Sequence, residues 1–480
     1  MTGTPARSSR RTFLEQSLLT AAAALVPLAP ASAVRRRRRR WPDQRIRLGV
    51  IGVRGRGRAH IGAFKSSPDC EVVALCDVDE GVIEPAMKAV PEATYHKDLR
   101  ALLDDDTIDA VSIATPNHWH SLALIWALEA EKHVYVEKPL GHNVFEGRQV
   151  VRAARRAGKI VQHGTQARSD PATRDALQWL REGGLGQVKL ATGLCYKLRE
   201  SIGKVAGAQE PPATCDYDLW TGPAPLVPLM RTNLHYDWHW DFATGNGDIG
   251  NQGVHQLDIA RWGLGLEGHP LRVTSCGGRL GYDDDGETPN TQVALYDYGE
   301  KQIVFEVRGL PTPAWRGASI GVIFHGEGGT LVSASYEQLL AFDHDGTEVA
   351  RFEGGGNHFQ NFLDAVKAGD ASLLNAPLEV GHLSTALCHL GNASYRLGRE
   401  CAIAEAPAPF GESEAGNEAF GRLREHLCAN GIAAADARIL RGPTLAFDGA
   451  RECFSGERAE EANRLLTREY RVPFVVPERA

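Results

Sequence analysis

Short apolar runs alternate with amphipathic stretches along the first third of the chain. The apolar runs cover residues 46–52, 71–76, 108–115, 133–136 and 160–163. Helix-forming stretches follow several of them, most clearly at residues 58–66 and 143–157. Apolar runs of about four to eight residues that alternate with helices are typical of βαβ units. The pattern predicts a doubly wound parallel sheet in an α/β domain over residues 45–165.

The pattern changes after residue 166. Strand-like runs occur at residues 188–196, 272–277, 291–298, 303–308 and 319–325, and helical stretches at 357–368 and 380–397. In the first of these helices Phe359, Phe362, Leu363 and Val366 form one apolar stripe, as in ordinary core packing. We expect a second domain over residues 166–403. A C-terminal extension, 404–480, contains helix-like stretches at 417–430 and 457–466, for which the sequence indicates no chemistry.

The N-terminus has the pattern of an export signal. Arg10-Arg11 form a twin-arginine pair, residues 18–31 are modestly apolar, and Ala31-Ser32-Ala33 is a small-residue cleavage site. The sequence therefore predicts a twin-arginine signal peptide over 1–33, a basic linker over 34–44, and a periplasmic or otherwise extracytoplasmic protein. A disordered N-terminus that contains two arginines by coincidence, and an uncleaved membrane anchor, are the alternatives.

Removing the N-terminal segment changes the charge of the chain. The whole chain has 53 basic and 60 acidic residues, and residues 1–40 hold nine arginines and one glutamate. The remainder has 44 basic and 59 acidic residues, a formal charge of −15. Such an acidic body argues against nucleic acid as a partner.

A glycine-rich turn follows the first strand. Gly52, Gly55 and Gly57 lie in the turn, with Arg54 in the place where the dinucleotide-binding pattern has its middle glycine. Asp77 ends the next strand, where a carboxylate binds the adenosine ribose and repels a 2′-phosphate. The turn predicts a dinucleotide site that prefers NAD, with NADP as the alternative because Arg54 and Arg56 are close enough in sequence to contact a phosphate.

The stretches 114–120 (ATPNHWH) and 137–139 (EKP) make the chain resemble the glucose–fructose oxidoreductase, inositol dehydrogenase and rhizopine-catabolism family, Gfo/Idh/MocA. The resemblance runs from about residue 46 to about residue 399. It implies an N-terminal Rossmann domain and a C-terminal α+β domain with a large open, mostly antiparallel sheet, whose open face often forms dimers or tetramers. The predicted cofactor-binding residues are Gly52, Arg54, Gly55, Gly57, Asp77, Thr115, Pro116, Asn117, His120, Glu137, Lys138 and Gln166.

Lys138 is the first candidate catalytic residue. It follows a strand, at the sheet edge where open α/β sheets bind ligands, and Pro139 after it restrains the backbone, with a cis bond as one conformation. A lysine here can bond the nicotinamide ribose and a substrate hydroxyl, which assists proton loss. The family resemblance implies the catalytic role.

His255 is the second candidate. His255 and Asp258 are three residues apart and would share a helix face. The family pattern resembles D-x-x-x-H-x-x-D, in which the histidine is the acid/base and the last aspartate binds substrate. Here Asn251 replaces the first aspartate, which puts the ordinary proton relay in doubt, although Asp248 is close enough in sequence to compensate.

An aromatic stretch, residues 235–240 (HYDWHW), predicts a substrate wall because aromatic rings stack on sugars. The predicted substrate-binding residues are Lys138, His235, Trp240, Asn251, His255 and Asp258. The pairs His118/His120 and His235/His239 raise a metal hypothesis, but the stretches lack a clear helical period, and we expect no metal.

These features together predict an exported NAD(P)-dependent oxidoreductase that acts on a sugar or polyol. Because free nicotinamide nucleotide is scarce outside the cytoplasm, we expect a cofactor that stays bound and is restored in each cycle. Two alternatives remain: an NAD-dependent glycoside hydrolase that oxidises C3 transiently, as in some relatives, and a sugar-binding module that lost catalysis through Asn251.

Overall fold

The computed structural model describes residues 44–478. The predicted signal peptide and nearly all of the predicted linker lie outside the described residues, so both stay predictions. Within residues 44–478, no helix combines the length and the hydropathy that a membrane crossing requires.

The N-terminal part contains a six-stranded parallel sheet with the order β3-β2-β1-β4-β5-β6. Its strands are β1 (Ile46–Ile51), β2 (Cys70–Cys76), β3 (Thr94–His96), β4 (Ala110–Ile113), β5 (His133–Val136) and β6 (Val161–His163). The helices between them are α1 (Arg56–Ser66), α2 (Glu84–Ala89), α3 (Leu99–Leu103), α4 (His120–Glu129) and α5 (Val144–Ala157). This is the doubly wound arrangement that the alternating pattern predicts, and that prediction is confirmed.

Local chemistry sets the limits of α5, the amphipathic helix of this domain. Asn143 begins the helix, because its side chain accepts a hydrogen bond from the Glu146 N–H. Gly158 ends it in the left-handed conformation at φ 59°. Val150 and Val151 are buried against the core of the domain. The helix bounds therefore follow from residues that the sequence already displays.

The second part is built on a twelve-stranded, mostly antiparallel sheet. Its strands are β7 (Val188–Tyr196), β8 (Arg272–Gly278), β9 (Thr291–Asp297), β10 (Gln302–Arg308), β11 (Ile320–Gly326), β12 (Gly329–Ser333), β13 (Gln338–Phe342), β14 (Glu348–Glu353), β15 (Arg399–Ala402), β16 (Arg438–Arg441), β17 (Leu445–Asp448) and β18 (Cys453–Ser455). Strands β7 and β10 pair in parallel at the centre, and the other pairs are antiparallel. The predicted α/β fold with a large second sheet is confirmed.

The remaining helices are α6 (Pro171–Arg181), α7 (Tyr217–Thr221), α8 (Leu234–Asp237), α9 (Gly247–Asn251), α10 (Gly253–Gly263), α11 (His358–Ala368), α12 (Leu378–Arg396), α13 (Glu414–Ala429) and α14 (Ala459–Arg464). Helices α10 and α12 pack on one face of the large sheet. Gly253 lets α10 approach the sheet, because a Cβ atom there would lie 2.8 Å from the ring of Phe305. This contact fixes the position of α10, which carries His255.

Helix α13 covers part of the opposite face of the large sheet. Its buried residues Phe420, Leu423 and Leu427 pack in one cluster with Val293 of β9 and Val304 of β10. The C-terminal extension thus occupies a surface that the family resemblance would leave open for assembly. The expectation of a dimer or tetramer stays a prediction.

The rest of the C-terminal extension is fixed by a buried charge cluster. Glu452 accepts hydrogen bonds from Arg148 at 2.8 Å, His269 at 2.8 Å and His382 at 2.6 Å. These contacts hold the pKa of Glu452 well below its usual range, against the opposing effect of burial. Since Arg148 lies on α5 and His382 on α12, one carboxylate connects the extension to both domains.

We expect Glu452→Ala to lower the free energy of unfolding by about 3 kcal/mol, because it leaves Arg148 and two buried histidines without their acceptor. A carboxylate with a lowered pKa stabilises the fold above its unfolded pKa, and this contribution is lost as the pH falls. The difference from wild type should therefore shrink on acidification. Denaturant unfolding at several pH values measures it.

The matched control is Glu461→Ala, which removes an exposed ion pair with Arg458 in the same extension. It should leave the unfolding midpoint unchanged. Equal midpoints for the two variants would contradict the anchoring role of Glu452.

Candidate functional site

A cavity of about 320 Å³ lies at the carboxyl ends of the parallel strands. Its lining comes from the glycine turn, the loops after β2, β4 and β5, and a covering segment that we define as residues 233–246. We call this cavity the cofactor cleft. Ligands of open α/β sheets bind at this edge, where loops from several strands converge.

The glycine turn forms the floor of the cleft. Gly52 has φ 83°, a conformation that favours glycine. At Gly57 a Cβ atom would lie 1.9 Å from the Gly52 carbonyl oxygen, so a larger residue does not fit. The displaced glycine, Gly55, also has a positive φ, of 51°, and lines the cleft. The turn therefore leaves a close backbone approach at the start of α1, as pyrophosphate binding requires.

Asp77 lies in the cleft after β2. Its carboxylate accepts hydrogen bonds from the backbone N–H groups of Val53 at 3.0 Å and Asp79 at 3.2 Å. Burial raises its pKa, and the two N–H groups oppose that rise. Asp77 is thus held against the glycine turn, in the position that the ribose interaction requires.

Asp79 was not predicted from the sequence. It accepts hydrogen bonds from Thr214, from the Gly81 N–H and from the His235 ring at 2.7 Å. His235, predicted to bind substrate, therefore lies beside the carboxylates at the ribose end of the cleft. A second carboxylate two residues after Asp77 was the sequence signal that could have identified Asp79. Its contacts with Thr214 and His235 form only in the folded chain.

The two arginines of the glycine turn already have partners. Arg54 donates to the His235 carbonyl oxygen at 3.1 Å, which ties the turn to the covering segment. Arg56 donates to Glu137 at 2.8 Å. Both arginines are thus held by protein groups at the edge of the turn.

Glu137 is the best-connected carboxylate of the cleft. Besides Arg56, it accepts from the His60 ring at 3.0 Å and from Gln166 at 2.9 Å. These partners hold its pKa well below the usual range, although burial acts in the opposite direction. The hydrogen bonds of Glu137 therefore connect the end of strand β5 to helix α1 and to the segment after β6.

Lys138 follows Glu137 and points across the domain boundary. Its Nζ donates to the Asn251 carbonyl oxygen at 2.5 Å, and burial lowers its pKa. The Lys138–Pro139 peptide bond is cis, one of the conformations expected for it. Lys138 thus places an ammonium group with a lowered pKa at the junction of the two domains.

The loop after β4 supports this arrangement. His120 lies between the carbonyl oxygens of Pro139, at 2.6 Å, and Thr115, at 2.9 Å, and a neutral ring donates to one of them. Asn117 donates to Asn246 of the covering segment at 2.6 Å. The Thr115 hydroxyl is buried without a hydrogen-bond partner among the described residues. All predicted cofactor-binding residues except Gly57 and Gln166 line the cleft, including the four from this loop, Thr115, Pro116, Asn117 and His120.

Asn251 lines the cleft, and the carboxylate nearest to it in sequence, Asp248, is paired with Arg199. Asp248 accepts two hydrogen bonds from Arg199, at 2.9 and 2.5 Å, and is almost fully buried. The Asn251 amide lies 3.5 Å from Asp248. Asp248 therefore lies beside Asn251, but its charge is balanced by Arg199 and not by a catalytic group.

His255 has a free ring nitrogen. Nδ1 is buried and has no hydrogen-bond partner among the described residues, and the ring lies 5.6 Å from that of Tyr336. Burial lowers the pKa of His255 to about 3, and the positive charge of Lys138 contributes to the shift. The imidazole is therefore uncharged near neutral pH, and its Nδ1 is a free hydrogen-bonding position.

Three predicted substrate residues, Trp240, His255 and Asp258, do not line the cleft. Asp258 forms a two-point ion pair with Arg168, at 2.7 and 2.9 Å, and accepts from Ser384 at 2.6 Å. Its buried carboxylate is thus occupied by protein groups. Trp240 lines a second cavity on the other side of the covering segment.

The histidine pairs that raised the metal hypothesis have other contacts. His118 lies beside backbone carbonyls, His235 contacts Asp79, and His239 contacts the Tyr236 carbonyl. Among the described residues, His269, His382 and Glu452 bring one donor atom each within 4.8 Å of one another. Arg148 shares that carboxylate, so we interpret the cluster as the anchor of the C-terminal extension.

The cleft has the parts that a dinucleotide needs. The glycine turn gives a close approach to the backbone, Asp77 supplies a carboxylate, and Lys138 and Asn251 define the opposite end. A dinucleotide bound along these groups would place its reactive ring near Lys138. The geometry therefore fits an NAD site with a proton-transferring group beside it.

Comparison with known proteins gives the same assignment for both domains. A family model described as "Oxidoreductase family, NAD-binding Rossmann fold" (GFO_IDH_MocA) matches residues 46–165. A second, described as "Oxidoreductase family, C-terminal alpha/beta domain" (GFO_IDH_MocA_C2), matches residues 182–308. Together they match just over half of the chain.

Curated relatives share part of the sequence. A "Glycosyl hydrolase family 109 protein" of Shewanella pealeana is 35% identical over 176 residues, which cover 32% of this chain and 38% of that protein. "Inositol 2-dehydrogenase 2" of Saccharopolyspora erythraea is 30% identical over 224 residues, covering 46% and 55%. The matched segments thus span 38% and 55% of the two relatives' own lengths.

A solved structure shares the fold. The WlbA dehydrogenase of Bordetella pertussis, solved with NADH and UDP-GlcNAcA, aligns with a TM-score of 0.56 and 20% identity. The alignment covers 74% of this chain and 97% of that one.

Proposed function

Since the chain belongs to the Gfo/Idh/MocA family of NAD-binding oxidoreductases, we propose that it oxidises or reduces a CH–OH group of a sugar or polyol. The observation that carries this proposal is Lys138, whose Nζ reaches from the end of β5 to the Asn251 carbonyl oxygen inside the cofactor cleft. An alcohol that takes the place of this carbonyl as hydrogen-bond partner would lie beside the nicotinamide end of the site.

In this reaction the side chains of the protein orient the substrate and transfer its proton. A nicotinamide cofactor held by the glycine turn and Asp77 would supply the hydride chemistry at the substrate carbon. Lys138 holds the substrate oxygen, and its lowered pKa makes the neutral amine, a proton acceptor, more available at a given pH. Glu137 limits that shift, since its negative charge raises the pKa of Lys138.

His255 is the second proton-transferring group in this proposal. Burial keeps its ring neutral, so its free Nδ1 serves first as a hydrogen-bond acceptor, and proton transfer to it requires a bound substrate that raises its pKa. Asn251 orients the substrate with its amide, because an amide cannot relay a proton. The proton path therefore depends on Lys138 and His255, without the first aspartate of the family pattern.

A retained cofactor and export complete the proposal. The twin-arginine route carries folded proteins, so NAD would be loaded before export. The covering segment supports retention, because Arg54 and Asp79 both bond to His235 across the mouth of the cleft. A reaction that oxidises one sugar carbon and reduces another would restore the cofactor in each cycle.

A glycoside hydrolase is the second candidate function, favoured by the relative named for glycosyl hydrolase family 109. Transient oxidation at C3 acidifies the neighbouring carbon, after which elimination, water addition and reduction release the glycan. Proton removal at C2 would fall to the free nitrogen of His255. Glycan release without a net change in reduced nicotinamide distinguishes this function from net oxidation.

We expect the mature protein to release nicotinamide nucleotide in near-stoichiometric amount when it is denatured, and to release mainly NAD because Asp77 disfavours a 2′-phosphate. Chromatography of the released small molecules measures this. A protein that is empty and also fails to bind added NAD(H) or NADP(H) would rule out both catalytic functions and favour the sugar-binding module.

We expect Lys138→Met to slow sugar-dependent reduction of the bound cofactor by roughly 10²–10⁴-fold, because it removes the proton acceptor. In wild type the rate should rise with pH towards a Lys138 pKa below 10.5. Lys138→Arg, which stays protonated, should not show this rise. Stopped-flow absorbance of reduced nicotinamide measures both.

The matched control for this pair is Lys189→Met, which changes an exposed lysine on β7 and should leave the rate unaltered. Rates are compared per molecule of bound NAD, because Lys138 is also a predicted cofactor-binding residue. A Lys138→Met protein that reacts at the wild-type rate would exclude the assigned role.

Export is tested in the producing cell. Replacing the twin-arginine pair by Arg10→Lys and Arg11→Lys should keep the protein in the cytoplasm. Immunoblots of cell fractions measure how the protein is distributed between cytoplasm and periplasm. The single variant Arg10→Lys should impair export less than the double variant. Unaltered export of the double variant would contradict the twin-arginine route.

A further inference from the structure

A second cavity, of about 590 Å³, lies on the other side of the covering segment. It is enclosed by the loop of residues 225–231, the end of the covering segment, helix α12 and residues 464–468 of the C-terminal extension. Within residues 44–478, Asn246 alone lines both this cavity and the cofactor cleft. The covering segment therefore separates two sites of different composition.

One part of the second cavity is aromatic and apolar. Trp240 is 3% exposed, and Phe242 lies near it in sequence and also lines the cavity. Val227 and Met230 are exposed where the loop borders the cavity. Aromatic side chains beside polar groups suit a ring that has both apolar faces and hydroxyls.

Two guanidinium groups of the cavity lack full compensation. Arg231 is 6% exposed and pairs with Asp241 through Nη1 at 3.1 Å, while its Nε and Nη2 have no hydrogen-bond partner among the described residues. Arg468 donates to the Ala243 carbonyl at 2.9 Å and contacts His142. The Glu146 carboxylate lies 3.9 Å from Arg468 Nε, beyond hydrogen-bond distance.

The pKa values agree with this description. Burial lowers the pKa of Arg231 and lowers that of Arg468 to about 10. Burial also raises the pKa of Glu146 to about 8, so near neutral pH this carboxyl brings little negative charge to Arg468. The two guanidinium groups would gain from an added anion.

The acidic side chains of the cavity largely have backbone partners. Asp241 accepts from the Ala243 N–H, Glu287 from the Phe242 N–H and Asp285 from the Val205 N–H. In contrast, the buried Oδ1 of Asn392 has no hydrogen-bond partner among the described residues. The cavity thus combines two guanidinium groups whose charge is only partly balanced with a neutral acceptor.

We propose that this cavity is a binding site for a sugar that carries a carboxylate. Arg231 and Arg468 receive the carboxylate, Trp240 and Phe242 contact the apolar face of the ring, and Asn392 accepts a hydroxyl. The volume lies within the range of about 300–1,000 Å³ that small-ligand sites occupy. The site is separate from the cofactor cleft, so binding does not depend on the reaction proposed above.

The C-terminal extension completes this site. Arg468 lies in a part of the chain outside the matches to the two family models, which end at residue 308. Its position depends on α14 and on the anchor at Glu452. The extension, for which the sequence indicates no chemistry, thereby supplies a guanidinium to a binding site.

Isothermal titration of the NAD-loaded protein tests the proposal. We expect galacturonate to bind at least tenfold more tightly than galactose. Digalacturonate distinguishes a free acid from the end unit of a polymer: tighter binding of the dimer indicates the polymer, and weaker binding the free acid. Asn392→Asp, which keeps the size of the side chain and adds a negative charge, should weaken galacturonate binding at least tenfold.

Arg468→Gln should weaken galacturonate binding at least tenfold and bring it close to that of galactose. Arg458→Gln is the matched control, because Arg458 belongs to the same extension, does not line the cavity and is paired with Glu461, and it should bind like wild type. Lys138→Met should also bind galacturonate like wild type, which separates this site from catalysis. Failure of wild type to bind either acid, equal binding of acid and neutral sugar, or an unaltered affinity in both cavity variants would overturn the proposal.

Discussion

The buried carboxylate of Glu137 is the interaction on which the cofactor cleft depends. It lies at the end of β5 and is surrounded by Arg56 of α1, His60 of the same helix and Gln166 after β6. A buried charge is costly unless nearby donors balance it, so these elements can pack together only in an arrangement that satisfies Glu137. The same arrangement directs the adjacent Lys138 towards the second domain. Catalytic geometry and domain packing thus share one electrostatic constraint.

The covering segment, residues 233–246, separates the cofactor cleft from the second cavity. His235 closes the ribose end of the cleft through Asp79, whereas Trp240 and Phe242 face the second cavity. Asn246 joins both sides, since its side chain accepts from Asn117 and donates to the His142 carbonyl. A single aromatic stretch therefore contributes to cofactor enclosure on one side and to a sugar-sized cavity on the other.

The C-terminal extension is part of the fold and not an appendage. Strands β16 and β17 pair with β8, helix α13 covers a face of the large sheet, and Glu452 bonds to residues of both domains. Coverage of the sheet by α13 removes apolar area from the surface that relatives with an open face would use for assembly. Any assembly of this chain must therefore use the parts of its surface that the extension leaves exposed.

Much of the fold was determined by the sequence alone. Periodic apolar runs and cap residues such as Asn143 and Gly158 act over a few neighbouring positions, so five of the six parallel strands, helices α1 and α5 and the first strands of the second domain could be predicted. The short elements β3, α2 and α3 were missed. The glycine turn, Asp77 and Lys138 could be identified as candidates for the same reason, since their spacing along the chain is fixed by the strand ends.

Only the tertiary structure decided which partners those residues meet. Asp248 and Asp258 look equally available in the sequence, but Arg199 and Arg168, distant along the chain, neutralise them. Short strands β12 to β18 and the contacts of Arg468 likewise depend on pairing across long separations. Such contacts are set by the balance of buried charge and packing in the assembled fold, which no local pattern encodes.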